Sequence, residues 1–195
     1  MAELDGVRIG CAMTGSFCTF KEVFAVWRQL RQAGADLTPI MSFHASSLDT
    51  RFYRAKEAVS IFEEVCGKKL LNRIEAVEPI GPKQLLDLLI VAPCTGNTIA
   101  KIANGITDTP VSLAVKSHLR NGRPVLIAIS TNDALAGSAQ NIGKLMNTQN
   151  IYFVPFAQDD PIQKPNSCVA IWDLLVESAE KALENRQIQP VLRQK

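Results

Sequence analysis

The stretch "APCTGNTIAKIANG", Ala92 to Gly105, puts Pro93, Cys94, Thr95, Asn97 and Thr98 directly after the apolar run "DLLIVA". Thr and Asn at this spacing offer hydroxyl and amide groups where a helix begins, and Pro93 and the small Gly96 let backbone amides approach a flat ligand. A planar heterocycle with many acceptors suits such a string. An N-cap alone accounts for Asn97 or Thr98 but not for the rest. A second string, "GCAMTGSFCTFKE", sets Thr14, Gly15 and Ser16 between a strand and a helix, where free helix-start N–H groups and the Ser16 hydroxyl can hold a phosphate. A tight strand-to-helix turn would use the same residues. Gly10 to Gly15 has P-loop spacing, but Phe17 and Cys18 stand where that loop needs Lys and Ser or Thr, and no G-x-G-x-x-G occurs. Neither nucleotide hydrolysis nor a standard dinucleotide fold is indicated.

Strands and helices alternate in the order that would carry both strings to one rim. "VRIGCAM" (7–13) reads as a buried strand, followed by a helix from Thr19. Thr19 and Glu22 form a capping box, Phe20, Val23, Phe24, Trp27 and Leu30 give the apolar stripe, and Gly34 stops the helix. Strand 36–42 follows, near an edge because of Pro39, then a helix over 54–66 ended by Gly67. Residues 68–83 are a connection with a short helix or strand. Further along come strand 87–93, helices 97–104 and 111–122, strand 124–130, helix 139–147 and strand 151–156. A polar loop (157–167) leads to a last amphipathic helix over 168–185, with Trp172, Leu175, Val176, Ala179 and Leu183 on one face.

Strands that are nearly continuous apolar runs between helices imply an α/β fold with a parallel sheet covered on both faces. Such sheets bind ligands beyond the carboxyl ends of their strands. That rule puts "TGSFCT", "SFHASS", "PCTGNT" and "STNDALAG" on one rim, and with them His44, Ser130, Thr131 and Asn132. His118 lies between Lys116 and Arg120 and reads as a surface residue. For His44 a structural role, its ring capping backbone groups, comes before a catalytic one.

The 195 residues fit one domain, 1–195, with a basic tail over 186–195 that can fray. A hydrophobic fraction of 47%, a charged fraction of 21% and a net charge of +2 predict neither a nucleic-acid partner nor a membrane, and point to a cytoplasmic protein. The five cysteines are widely spaced and hold no C-x-x-C pair, which argues against disulfides and a metal site. Cys18 and Cys94 read first as small buried fillers.

"TGSF", "IMSFHA" and above all "APCTGNTIAKIANGITD" resemble the flavoprotein family of homo-oligomeric flavin-containing cysteine decarboxylases, which also holds the flavin prenyltransferases. The resemblance covers nearly the whole chain. It implies a flavodoxin-like three-layer α/β/α sandwich with a parallel sheet, FMN at the carboxyl rim, and trimers or multiples of them. It also implies that Thr14, Gly15 and Ser16, with Ser42, hold the FMN phosphate. Pro93, Cys94, Thr95, Asn97 and Thr98 would then border the ribityl chain and ring, and Ser130 and Thr131 would close the ring's other edge. "PIGPKQL" has no His where the decarboxylases carry one, and "ISTNDALA" replaces their P-x-M-N-x-x-M-W motif, with Asn132 alone retained. Asn132 is therefore the candidate substrate contact, although "TND" is also good turn chemistry. Ser130 and Thr131 replace the Arg-Glu pair of the prenyltransferases. Within the family the chain is most similar to members that act as one of two subunits. This implies a separate partner subunit with NAD(P), and a small dicarboxylate substrate oxidised to an aromatic ring. Three alternatives stay open: an FMN-dependent decarboxylase, a prenyltransferase-like enzyme, or a flavin-binding scaffold without chemistry of its own.

Overall fold

A computed structural model describes residues 4–193. The first half of the chain runs β1 (Arg8–Met13), a 3₁₀ turn, α1 (Phe20–Gln32), β2 (Asp36–Met41), α2 (Phe43–Ser47), α3 (Ala55–Cys66) and α4 (Ile74–Val77). It continues with β3 (Leu88–Cys94), α5 (Gly96–Ala103), α6 (Pro110–Leu119), β4 (Val125–Thr131) and α7 (Ala139–Met146). Three short strands, β5 (Ile151–Phe153), β6 (Phe156–Gln158) and β7 (Cys168–Ala170), precede α8 (Leu175–Leu183). The seven strands form one sheet in the order β2-β1-β3-β4-β7-β6, with β5 also on β4. Pairings among β1, β2, β3, β4 and β5 are parallel. This is the flavodoxin-like α/β/α sandwich with a mostly parallel sheet.

The two faces follow from the period of two along each strand. Every residue of β3 is buried, so both of its faces need cover. Leu88, Ile90 and Ala92 turn toward α1, α3 and α8, where Trp27 stacks on Phe62 at 6.2 Å and an interplanar angle of 26°. Leu89, Val91 and Cys94 turn toward α5, α6 and α7. The α1 stripe is buried as its spacing requires. Pro39 lies on β2, the strand at the end of the sheet, which carries only a single bridge from Ile40 to Leu71 on its outer side.

Four sequence expectations are corrected. Thr19 and Glu22 form no capping box: Thr19 Oγ1 instead donates to the Ser16 carbonyl at 2.9 Å, and the intervening 3₁₀ turn starts the helix. A capping box does head α6, formed by Thr109 with Ser112. Strand 151–156 is broken at Pro155 into β5, parallel to β4, and β6, which turns to pair antiparallel with β7. The helix expected over 168–185 begins only at Leu175, because Cys168 to Ala170 pair with β6 and with the end of β4. The tail lies along this edge. Phe156 N donates to the Val191 carbonyl at 3.0 Å, and the Gln187 amide bonds both backbone groups of Phe153 at 2.8 and 2.7 Å. No helix among the described residues is long and apolar enough to cross a membrane.

His118 is the fourth correction. Its helix packs the ring inward, 1% exposed, where Nε2 donates to the Pro124 carbonyl at 3.0 Å. Burial pushes the ring down to about 4, so it is neutral in the fold at neutral pH. The unfolded chain takes up this proton near 6.5 and the folded chain only near 4. Stability is therefore complete above the higher value and is lost as pH falls between the two, by about 3 kcal/mol in all. Urea unfolding at pH 7.5, 6 and 5 should show this loss in the wild type. His118→Gln should lack it, and equal slopes in the two proteins would refute the assignment.

Candidate functional site

The carboxyl ends of β1, β3 and β4 are stitched together by hydroxyl groups. Thr14, 1% exposed, donates through Oγ1 to the Pro93 carbonyl at 2.7 Å and accepts Thr95 N at 3.0 Å. Its hydroxyl is thus committed to joining β1 to β3. Thr95 caps α5 by accepting Thr98 N at 3.4 Å, and Ser42 caps α2 by accepting Ala45 N at 3.3 Å. Ser16 and Ser130 meet at 2.7 Å between their hydroxyl oxygens, bridging the first loop to the end of β4.

Two adjoining cavities open on this rim. One, of about 340 Å³, lies between Ser16, Ser130, Thr131 and Asn132 on one side and Asp159, Lys164 and Ser167 on the other. The second, of about 450 Å³, is bounded by Thr14, Ser42, His44, Asn97 and Thr98. Gly15, Phe17 and Thr95 belong to both walls. Each volume is in the range of small-molecule sites, ~300–1,000 Å³. The residues singled out in the sequence are thus brought together, with a division it did not suggest: Ser16 faces the first cavity, while Thr14 and Ser42 face the second.

Pro93 and Cys94 are in neither wall. The Pro93 carbonyl is spent on Thr14, and the Cys94 side chain belongs to the core, where burial pushes its thiol far up. Cys94 is the small filler expected. Cys18 is not: it is exposed and lines the first cavity. His44 is exposed on the second cavity, and among the described residues its ring makes no hydrogen bond, so it does not cap the backbone. Asn132 is exposed on the first cavity, with Oδ1 3.5 Å from Ser167 Oγ. The turn that carries it is held by its neighbour. Asp133 Oδ1 accepts from Thr131 Oγ1 at 2.6 Å and Ser138 Oγ at 2.9 Å.

Gly96 also differs from its expected role. It does not clear space for a ligand; the Asp133 cluster fills that space. A Cβ on Gly96 would lie 2.5 Å from Ser138 Oγ, 2.7 Å from Asp133 Oδ1 and 2.8 Å from Thr131 Oγ1. These atoms are bound to one another and cannot all retreat. Gly96→Ala should therefore cost about 1–3 kcal/mol of stability by overpacking. It should also displace the turn at Asn132. An unchanged melting temperature would show that the cluster yields freely.

Reading the sequence did not single out Asp159, Lys164 and Ser167, which lie within the polar loop 157–167. Their signal was the hairpin, hidden because three-residue strands are too short to show a period. Lys101 and Asp108 on the second cavity were also missed. Lys101 Nζ lies 2.6 Å from both Asp108 oxygens, and this contact lowers the Asp108 carboxyl below the usual range. Lys101 is thus neutralised by its partner. Among the described residues no group of three or more His, Cys, Asp or Glu could hold a metal ion.

Comparison with known proteins identifies the relatives of the chain and its fold. Over 192 residues, 98% of this chain and 96% of the relative, the sequence is 47% identical to the B subunit of dipicolinate synthase from Bacillus subtilis (strain 168). The crystal structure of the corresponding dipicolinate synthase subunit from Bacillus halodurans superposes with a TM-score of 0.90 at 43% identity, covering 98% of both chains. The FMN-dependent cysteine decarboxylase SpaF shares the fold, with a TM-score of 0.69 at 21% identity over 93% of this chain and 99% of its own. The model of the flavoprotein family matches residues 1–183. That span includes the whole sheet, every loop of the rim and α8 to its last residue, so the chain belongs to the flavoprotein family.

Proposed function

We propose that this chain is the flavin-binding subunit of a dipicolinate synthase, acting in the cytoplasm of a sporulating cell with a separate, NAD(P)-dependent synthase subunit. The pair would oxidise a dihydrodipicolinate-type dicarboxylate to dipicolinate. The observation that carries the reading is the likeness to the B subunit of dipicolinate synthase over nearly the full length of both chains. The rim is consistent with FMN. Its walls are hydroxyl, amide and glycine groups, and a Cβ on Gly15 would meet only the Phe17 ring, at 3.6 and 3.9 Å, so the shared wall is open to a ligand.

In this reading Gly15 and Ser42 hold the phosphate in the second cavity, with Ser16 beside them. Thr14 acts by fixing the loop, since its hydroxyl is already engaged. Thr95, Asn97 and Thr98 border the ribityl chain and ring, and Ser130 and Thr131 close the far edge. Pro93 and Cys94 contribute through the backbone they position. Bound there, FMN supplies two-electron redox chemistry that side chains lack. Asn132 donates an amide N–H to a substrate carboxylate in the first cavity, and His44, whose ring has no hydrogen-bond partner among the described residues, is the candidate to move a proton in the second. NAD(P) belongs to the other synthase subunit. The chain itself assembles as a homo-oligomer, a trimer or multiple of it.

The absorbance spectrum of the purified chain tests the cofactor. Flavin bands that persist through gel filtration, or return on addition of FMN, are expected. A fully folded, colourless protein that takes up no FMN would overturn the reading and leave a scaffold protein.

A further inference from the structure

The loop over 48–54, between α2 and α3, supplies a wall residue of the first cavity, Phe52, for which the flavin assignment has no use. The loop is fixed by its own contacts. Phe52 N and Tyr53 N both donate to Thr50 Oγ1 at 3.2 Å, Thr50 N donates to the Tyr53 carbonyl at 2.9 Å, and Ala55 N donates to Asp49 Oδ1 at 2.8 Å. The Tyr53 ring anchors the turn to α1, its centroid 6.0 Å from that of Phe20 and 5.9 Å from that of Phe24. Phe52 and the residue before it are thus presented on a held backbone.

That preceding residue is Arg51. Its guanidinium carbon stands over the Phe52 ring, 4.8 Å from the centroid, a cation–π contact that seats the charge at the cavity mouth. Among the described residues Arg51 makes no ion pair and donates no hydrogen bond. A guanidinium held by its face keeps the N–H groups along its edge for a planar acceptor such as a carboxylate. The wall itself is electrically balanced. Its charged residues among those described are Lys164 and Asp159, with Nζ and Oδ2 3.4 Å apart. Arg51 therefore tips the mouth positive, and adds a second cation to Lys164, which is 55% exposed and shares the wall with Asn132. Two cations on separate loops suit a ligand with two negative groups, and the half-exposed Phe52 ring suits a flat body.

We propose that Arg51, seated on Phe52, is a specificity-determining residue that selects flat dicarboxylates over monocarboxylates. The inner carboxylate lies on Lys164 and the Asn132 amide, and the outer one takes the edge of the Arg51 guanidinium. This rests on the reading of the chain as acting on a cyclic dicarboxylate, and deepens it by naming the residue that reads the second carboxylate.

Calorimetry on the full chain, with FMN present and in metal-free buffer, compares pyridine-2,6-dicarboxylate with pyridine-2-carboxylate. The wild type should prefer the dicarboxylate by about tenfold or more, the worth of one hydrogen-bonded charge contact. Arg51→Met should lose that preference by weakening the dicarboxylate alone. Arg51→Lys should regain only part of it, since a point charge cannot form the two-bond fork. Phe52→Leu should fall between wild type and Arg51→Met, because it keeps the charge and removes the ring that seats it. Circular dichroism melting confirms that each variant is folded. A wild type that binds neither probe or shows no preference overturns the proposal, as does an Arg51→Met chain that keeps the preference. Equal loss of both probes in Arg51→Met overturns it too, by making Arg51 a source of general field. Flavin content, read by absorbance on the same preparations, separates the two levels. Flavin retained with a preference indifferent to Arg51 defeats the mouth site alone. No flavin and neither probe bound defeats the proposed function and the mouth site together.

Discussion

Gly15→Asp is expected to abolish FMN binding while leaving the fold intact. Gly15 is in the wall shared by both cavities, and a side chain there has room, since the nearest atoms are those of the Phe17 ring at 3.6 Å. Its φ is not in the left-handed region, so a larger residue adds no backbone strain there. The carboxylate would instead act by charge. A phosphate monoester carries about −1.5 to −2 near neutral pH. A like charge within a few ångströms costs several kcal/mol at an effective dielectric near 20, so affinity should fall by on the order of 10²-fold or more. Gly15→Asn, of the same shape and neutral, should retain most of the binding. FMN titration followed by fluorescence quenching measures both. Equal losses in the two variants would make the effect steric, and unchanged binding in Gly15→Asp would remove the phosphate from this wall.

On the proposed function, dipicolinate formation should require both this chain and a separate NAD(P)-dependent subunit, with omission of either lowering the rate by on the order of 10³-fold, the size of effect expected when a general acid–base group is missing. The chain has no G-x-G-x-x-G for a dinucleotide, and "PIGPKQL", ahead of β3, holds no His. The one imidazole on the rim, His44, faces the second cavity rather than the one that holds Asn132. The mouth is also unfinished: Phe43 and Leu48 beside the second cavity and Phe52 beside the first are 43%, 47% and 44% exposed, apolar surface suited to being covered. Purified chain, the NAD(P)-dependent protein and a dihydrodipicolinate-type substrate, each omitted in turn, give the measurement. Full rate from this chain with flavin would make it a self-sufficient flavoenzyme. Full rate from the NAD(P)-dependent protein without this chain would make the chain an accessory.

Much of the scaffold was legible from local pattern. Residues 88–94 and 125–131 form strands because their long apolar runs need cover on both faces, and α1 buries a stripe written at helical spacing. Once the sheet is parallel, its rim follows, which is why the sequence alone places Gly15, Ser16, Ser42, Thr95, Asn97, Thr98, Ser130, Thr131 and Asn132 on the rim, where they line the two cavities. Local pattern failed where elements are short or where two groups compete for one partner. Three residues at 168–170 cannot show a period of two, so an amphipathic helix was read through them. Thr19 looked like a cap, but the Ser16 carbonyl was within reach and took its hydroxyl.

By itself, then, the sequence determined the layered α/β frame and the polar character of the rim, because both depend on side-chain type and on spacing within one element. Only the tertiary structure decided which polar groups are free. Thr14 is spent on Pro93, 79 residues away; Ser16 meets Ser130 across 114 residues; Gly96 is filled by Asp133; and the β6–β7 hairpin hangs Asp159 and Lys164 over β4. Such contacts are set by strand register and crossover, which place atoms from distant elements within hydrogen-bonding distance, and neither quantity is written in the neighbourhood of any one residue.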